Sequence, residues 1–169
     1  MTRPQATEAA HYYFKYIDLV TGDEIVPAME NQMSEMLEFL SGIGEEQSLH
    51  SYERGKWTIR EVLNHVNDGE RVFAGRAFWF ARGFTDALPS FEQDVAVQMA
   101  HANNTSWPEL VEEFKNVRLG TISLFKSLPE EAWARTGVAS DNPVSVLALA
   151  YIIAGHVTHH QRVLHEKYL

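Results

Sequence analysis

The sequence contains no cysteine among its 169 residues. Disulfide bonds and thiolate nucleophiles of the chain's own are therefore excluded, and any bound metal must be held by His, Asp or Glu. Positive charge is also scarce, because 14 Lys and Arg residues oppose 23 Asp and Glu residues, which gives a formal net charge of −9. Such a chain repels a polyanion on average, so we expect no nucleic acid among its partners.

Long apolar runs are missing as well. No stretch approaches the ~20 apolar residues of a membrane span, and the first residues lack the continuous apolar core of a signal peptide. We therefore expect a cytoplasmic protein without a membrane partner. Hydrophobic residues nevertheless make up 45% of the chain and charged residues 22%, which is typical of a folded protein. The length predicts a single domain over residues 1–169.

Helical periodicity is strong in four segments, whereas strand signals are weak. The segments cover about residues 23–40, residues 58–82, a stretch from 106 to shortly before 129, and a stretch from about 143 to 169. Thr58 and Glu61 have the spacing of a capping box at a helix start. Residues 84–102 form a long connection with room for a short helix. The pattern predicts an all-α four-helix bundle.

Histidines are concentrated at the end of the chain, where four of the eight lie within residues 154–169. His156 and His160 are four residues apart and so share one face of a helix. That face also carries apolar residues, so both imidazoles point into the bundle. Two buried imidazoles without partners are unfavourable, and a metal would accept their lone pairs. The alternative is a pair of core histidines bonded to backbone or hydroxyl groups.

A third candidate ligand is His65, near the edge of the apolar stripe of the second helix. Gly69, one turn later, leaves space beside it. His65, His156 and His160 would supply three nitrogens and leave a coordination position open, as in catalytic zinc sites. A structural role for His65 is the alternative. The remaining five histidines are interpreted as solvated or structural: His11, His50, His101, His159 and His165. His159 lies at the shoulder of the same face and is the hardest of the five to exclude as a ligand.

Several motifs together resemble the DinB-like superfamily, in its YfiT-like branch, from about residue 16 onward. They are Tyr52-Glu53-x-Gly55-Lys56-Trp57-Thr58-Ile59-x-Glu61-Val62-Leu63-x-His65, then Asp68, Glu70 and Arg71, the stretch Arg118 to Phe125, Pro143-Val144-Ser145, and Gly155-His156-x-x-His159-His160. The combination is specific, whereas each motif alone would not be.

The resemblance implies an up-down-down-up four-helix bundle that commonly forms a homodimer. It also implies a divalent metal, Zn²⁺ or Ni²⁺, held by His65, His156 and His160. The family includes metal-dependent hydrolases and transferases of low-molecular-weight thiols, such as bacillithiol- and mycothiol-dependent enzymes. A small-molecule substrate, with a low-molecular-weight thiol as one candidate, is the partner that this resemblance implies.

Residues beside the predicted ligands allow two interpretations. Asp68, Glu70 and Arg71 could orient a ligand imidazole, as outer acceptors commonly do, or could form ion pairs. We favour ion pairs, because Arg71 lies far from His65 around the helix. No catalytic residue is assigned. The aromatic candidates for a substrate pocket are Phe73, Phe80 and Tyr151.

Three functions compete at this point. The first is a metal-dependent enzyme, either a hydrolase or a thiol S-transferase; in the latter, the nucleophilic sulfur must come from a cosubstrate because the chain has no cysteine. The second is a non-catalytic metal-binding stress-response module, in which Asp, Glu or His159 fills the open position. The third is a dimeric scaffold with a vestigial site, which would have the same stability with and without metal.

Overall fold

Six α-helices and one β-hairpin are found in residues 3–169, the part of the chain that this computed structural model describes. They are α1 (Phe14–Ile17), α2 (Ile25–Ser41), α3 (Ile59–Ala81), α4 (Gln93–Ala100), α5 (Trp107–Lys126), β1 (Thr136–Ala139), β2 (Asn142–Ser145) and α6 (Val146–Lys167). The four long helices α2, α3, α5 and α6 correspond to the four periodic segments. The short helix expected in the connection after α3 is α4.

Side-chain caps mark where three of the four long helices begin, namely α3, α5 and α6. The Thr58 hydroxyl accepts from the Glu61 amide at 3.2 Å, and the Glu61 carboxylate accepts from the Thr58 amide at 2.8 Å. The predicted capping box of α3 is thus confirmed. Ser106 and Glu109 form a second capping box at α5, and Ser145 caps α6. Each cap satisfies amides that the first turn leaves without helical partners.

Helices α3 and α5 are parallel neighbours. Asn67 donates to the Leu110 carbonyl at 3.4 Å, and Glu70, further along α3, accepts from Arg118, further along α5. Two parallel helices side by side require a connection that returns along their full length. Residues 82–106, which include α4, supply it.

Helices α2 and α6 run opposite to that pair. Trp107, at the beginning of α5, donates to the carbonyl of Leu40 near the end of α2, at 3.3 Å. Tyr168, just after α6, donates to the carbonyl of Trp57, just before α3, at 2.8 Å. The order is therefore up-down-down-up, and the predicted all-α bundle is confirmed.

A β-hairpin precedes α6, and the weak strand signal did not reveal it. β1 and β2 pair antiparallel around Ser140 and Asp141, whose φ angles are 51° and 60°. The expected helix start near Pro143 was wrong, because Pro143 lies in β2 and α6 begins only at Val146. A turn of two left-handed residues normally carries Asn-Gly or Asp-Gly, so Ser-Asp gave no clear signal.

The core lies between the long helices, and α6 is its central element. From Val146 to Val157 every residue of α6 is buried. Over its first three turns, α6 is therefore surrounded by other parts of the protein on every side. Its histidines begin where that burial ends. Among residues 3–169, none of the helices combines the length and apolar character that a membrane-spanning helix needs.

Candidate metal centre

Three imidazoles meet where α3 faces α6. His65, His156 and His160 each place one ring nitrogen within 4.8 Å of the other two. The Nε2 atom of His156 lies 3.1 Å from Nε2 of His65 and 3.1 Å from Nε2 of His160. The structure thus brings together the three residues that the sequence selected as ligands.

Two glycines allow the helices to approach closely at this point. A Cβ atom on Gly69 would lie 3.0 Å from Cε1 of His156, so the missing side chain makes room for that ring. On the other side of α6, a Cβ atom on Gly155 would lie 2.0 Å from the carbonyl oxygen of Tyr16. The α1 backbone therefore packs directly on α6, and the Tyr16 ring meets the His156 ring edge-on at 5.3 Å.

Burial keeps the three imidazoles neutral. It lowers the pKa of His65 to about 4, although the charge of Asp94 on α4 acts in the opposite direction. Burial likewise lowers the pKa of His160 to about 3. For His156, burial together with the neighbouring imidazoles lowers the pKa well below its ordinary value. Neutral imidazoles offer the lone pairs that a metal ligand requires.

The donor set fits a divalent metal. Tetrahedral Zn–N bonds of 2.0–2.1 Å place the ligand nitrogens about 3.3 Å apart, and the two Nε2 separations measured here are 3.1 Å. The buried Nδ1 atoms of His65 and His160 have no hydrogen-bond partner among residues 3–169. Hydrogen bonds within the protein therefore leave part of the cluster unsatisfied, and imidazole suits both zinc and nickel.

A cavity of about 140 Å³ opens beside His65 and His156. Its wall is mainly aromatic, with a few polar groups between the rings. The lining residues besides the two histidines are Tyr12, Tyr13, Tyr16, Gly69, Val72, Phe73, Arg76, Phe91, Gln93 and Ser140. A concave pocket lined by aromatic side chains with a few convergent polar groups is the usual form of a small-molecule site.

The acidic and basic residues near His65 form ion pairs rather than imidazole contacts. Asp68 accepts from Asn64 at 2.9 Å and pairs with Arg71. Arg71 also pairs with Glu113 at 2.7 Å, and Glu70 pairs with a buried arginine of α5. These contacts agree with the ion-pair interpretation.

The other histidines lie outside the group of three. His159 is half-buried, its ring packs edge-on against Tyr16 at 5.4 Å, and it contributes no ligand atom to the group. The remaining four are exposed: His11, His50, His101 and His165. Their exposure matches the interpretation of these four as solvated residues.

Sequence reasoning found only part of the pocket wall. Phe73 lines the cavity, but Phe80 and Tyr151 do not. Phe80 packs where Gly137 of the hairpin lacks a side chain, and the Tyr151 hydroxyl lies 3.4 Å from the Gly22 carbonyl. Arg76 was missed entirely. Arg76 follows Gly69 by seven positions and so lies on nearly the same face of α3. This spacing was the signal that could have placed Arg76 in the pocket wall.

The chain belongs to the DinB superfamily, whose profile matches residues 28–164. Its fold is similar to that of YfiT from Bacillus subtilis, described as a probable metal-dependent hydrolase with an unusual four-helix bundle topology. The two share 14% identity with a TM-score of 0.71, over 96% of this chain and 89% of that one.

A second similar structure is a mycothiol-dependent maleylpyruvate isomerase, with 13% identity and a TM-score of 0.67. The match covers 89% of this chain but 59% of that one. No curated protein matches the chain. At these identities, the likeness to the two structures establishes the fold alone.

Proposed function

We propose that the chain is a metal-dependent enzyme that acts on a small molecule, with His65, His156 and His160 as the metal ligands. The observation that carries the proposal is the convergence of three buried, neutral imidazoles beside a cavity. Three protein ligands leave a coordination position for substrate, which distinguishes catalytic sites from closed structural ones. When bound, the metal supplies a Lewis acid and lowers the pKa of a water or thiol that it holds.

Thiol S-transfer is the favoured reaction, and hydrolysis is the alternative. The cavity wall offers phenol, guanidinium, amide and hydroxyl groups, but no carboxylate among the described residues. Attack by water commonly needs a protein base to accept its proton, whereas a thiol, which is more acidic than water, would release its proton to solvent when held by a metal. The absence of cysteine means that the thiol is a cosubstrate. One similar structure is described as mycothiol-dependent, which supports the same choice.

The remaining parts of the proposal concern metal identity, assembly and location. We propose zinc or nickel as the metal, a homodimer as the assembly and the cytoplasm as the location. Metal analysis and light scattering of the purified protein test the first two directly. A non-catalytic metal-binding module or a scaffold with a vestigial site remains the competing function.

The first test is metal content of the untagged protein by inductively coupled plasma mass spectrometry. We expect close to one zinc or nickel per chain in the parent and almost none in His156→Ala. His165→Ala is the matched control, because it removes an exposed imidazole from the same helix and should leave the metal content unchanged. A parent that stays metal-free after reconstitution with either ion refutes the proposal.

The second test separates the two reactions and the non-catalytic alternatives. The metal-loaded protein is assayed for dithiothreitol-dependent consumption of chlorodinitrobenzene and for hydrolysis of nitrophenyl acetate. Thiol-dependent turnover that disappears in His160→Ala supports S-transfer, and thiol-independent hydrolysis supports the alternative. A loaded protein that shows neither activity with these substrates favours the non-catalytic functions.

A further inference from the structure

Three arginine side chains are buried in this bundle, and one of them lacks a counter-charge. Arg118 is fully buried and pairs with Glu70 at 2.8 Å, and Arg60 is 4% exposed and pairs with Glu45. Arg76 is 6% exposed, yet it forms no ion pair with any residue in the range 3–169. A buried charge is normally neutralised by a partner. Arg76 therefore departs from the pattern that the other two follow.

Neutral groups hold Arg76 in place. Its Nη2 atom donates to the Pro89 carbonyl at 2.7 Å and to the Ser140 hydroxyl at 3.1 Å, and the guanidinium carbon lies 5.7 Å from the centre of the Phe73 ring. The Nη1 and Nε atoms have no hydrogen-bond partner among the described residues, and they are not sealed from solvent. Three N–H groups of the guanidinium, two on Nη1 and one on Nε, thus remain available to a bound molecule.

The position of Arg76 links two neighbouring cavities. It lines the cavity beside His65 and His156, and also an adjacent groove of about 340 Å³. Arg76, Val72 and Phe91 belong to both walls, so they form the junction between the two spaces. Arg76 lies seven positions after Gly69, which contacts His156, and this corresponds to about 10 Å along α3. A small molecule can span that distance.

We propose that Arg76 binds a carboxylate of the substrate and so holds its reactive end at the three histidines. The proposal rests on the proposed function, and it specifies the substrate class as an anionic small molecule. A guanidinium is suited to this role because its planar fork matches the two oxygens of a carboxylate. The aromatic side chains of Phe73 and Phe91 then pack against the apolar part of the molecule.

The experiment measures binding of benzoate, benzamide and phenyl phosphate to the metal-free protein by isothermal titration calorimetry. Without metal, an anion cannot bind to the histidine-held ion instead, so failure here is independent of metal content. We expect benzoate to bind at least about tenfold more tightly than benzamide, because hydrogen bonds between two charged groups are stronger than those to a neutral amide. Tighter binding of phenyl phosphate than benzoate would overturn the choice of carboxylate.

Variants assign the preference to one side chain. Arg76→Gln should abolish the preference for benzoate, and Arg76→Lys should retain only part of it because lysine lacks the fork. Arg82→Gln removes the same charge from an exposed position next to the end of α3 and should leave the preference intact. A benzoate preference that survives Arg76→Gln, or equal affinities in the parent, would overturn the proposal. So would a lack of binding by any probe at millimolar concentration.

A measurement on the parent keeps the proposal testable if Arg76→Gln does not fold. The Nε–H resonance of Arg76 is followed by NMR during titration with benzoate and with benzamide. We expect a saturable shift with benzoate that is absent with benzamide. An unchanged resonance in the presence of benzoate would overturn the assignment of Arg76.

Discussion

Two of the buried polar clusters in the bundle differ in how their groups are satisfied. In the first, Arg118 donates to Glu70 and to Gln32, and Gln32 donates in turn to the Ala154 carbonyl and the Thr158 hydroxyl. This network connects all four long helices. The second is the histidine cluster, which connects only α3 and α6 and has ring nitrogens without partners among residues 3–169.

The two clusters differ in whether their own groups neutralise one another. Opposite charges in the Arg118 network stabilise each other, although one oxygen of Glu70 stays without a partner in the described residues. The histidine cluster instead brings three like groups together, and burial lowers the pKa of each. Such an arrangement is unfavourable alone and favourable with a bound cation. The two clusters should therefore differ most in their contribution to stability when the protein is metal-free.

The largest effect is expected from breaking the Arg118 network. Glu70→Ala leaves a fully buried guanidinium without its counter-charge and should lower the free energy of unfolding by about 3–5 kcal/mol. His160→Ala, in the metal-free protein, should change it by about 1 kcal/mol or less, because it removes one of three mutually unfavourable imidazoles. Urea denaturation in the presence of a chelator measures both.

A double variant is the control for this prediction. Glu70→Leu combined with Arg118→Met replaces the whole ion pair by apolar side chains, which is often neutral or stabilising. We expect it to recover most of the stability that Glu70→Ala loses. Equal losses in Glu70→Ala and His160→Ala would contradict the distinction between the two clusters.

The next effect concerns pH. An unfolded histidine binds a proton below about pH 6.5, whereas folded His65 binds one only near pH 4. Stability of the metal-free protein is therefore present above pH 6.5 and lost as the pH falls from 6.5 toward 4. Between about pH 6 and pH 4, His65 should contribute a loss of about 1 kcal/mol per pH unit, and His156 and His160, whose pKa values are also lowered, should add to that loss.

Chemical denaturation at several pH values, with chelator present, measures that slope. His160→Leu should make it shallower, since one of the shifted groups is gone. His101→Leu is the control, because it removes an exposed imidazole. We expect its slope to equal that of the parent. The same slope in the parent and in His160→Leu would show that the cluster does not cause the pH dependence.

The smallest expected effect concerns the space around the His156 ring in the histidine cluster. Gly69→Ala places a methyl group 3.0 Å from Cε1 of His156, and displacement of the ring should weaken zinc affinity about tenfold. Gly75→Ala, on the same helix, meets open space and should instead raise the free energy of unfolding by about 0.5–1 kcal/mol. Competition with a chromogenic chelator measures the zinc affinities. Equal zinc affinities in the two variants would argue against a role for Gly69 in making room for the His156 ring.

The sequence was most informative where helical spacing dominates. Periodicity placed the long helices, and the four-residue spacing of His156 and His160 on a buried face put both rings in the bundle. His65 could be added because a glycine one turn later indicated space beside it. That inference depended on local geometry along α3 and α6, and the structure brings the three side chains together as expected.

Features that depend on tertiary packing could not be predicted in this way. The hairpin uses two four-residue strands around a Ser140-Asp141 turn, which local propensity does not indicate. The contact of the Tyr16 ring with His156 follows from the packing of the Tyr16 backbone against Gly155. Arg76 looks like an ordinary helical arginine until the hairpin and the segment around Pro89 enclose it.

The placement of two candidate ligands on α6 has a consequence for how the protein folds. During synthesis α6 emerges after α1 to α5, and its contacts with α1 join residues about 140 positions apart in sequence. Such long-range contacts form slowly, since a large loop must close first. Until then His65 is a lone imidazole on α3, which would hold a metal only weakly. If the three histidines bind a metal as proposed, its capture is a late event that requires α6 to be packed on α3, and a nascent chain without α6 remains metal-free.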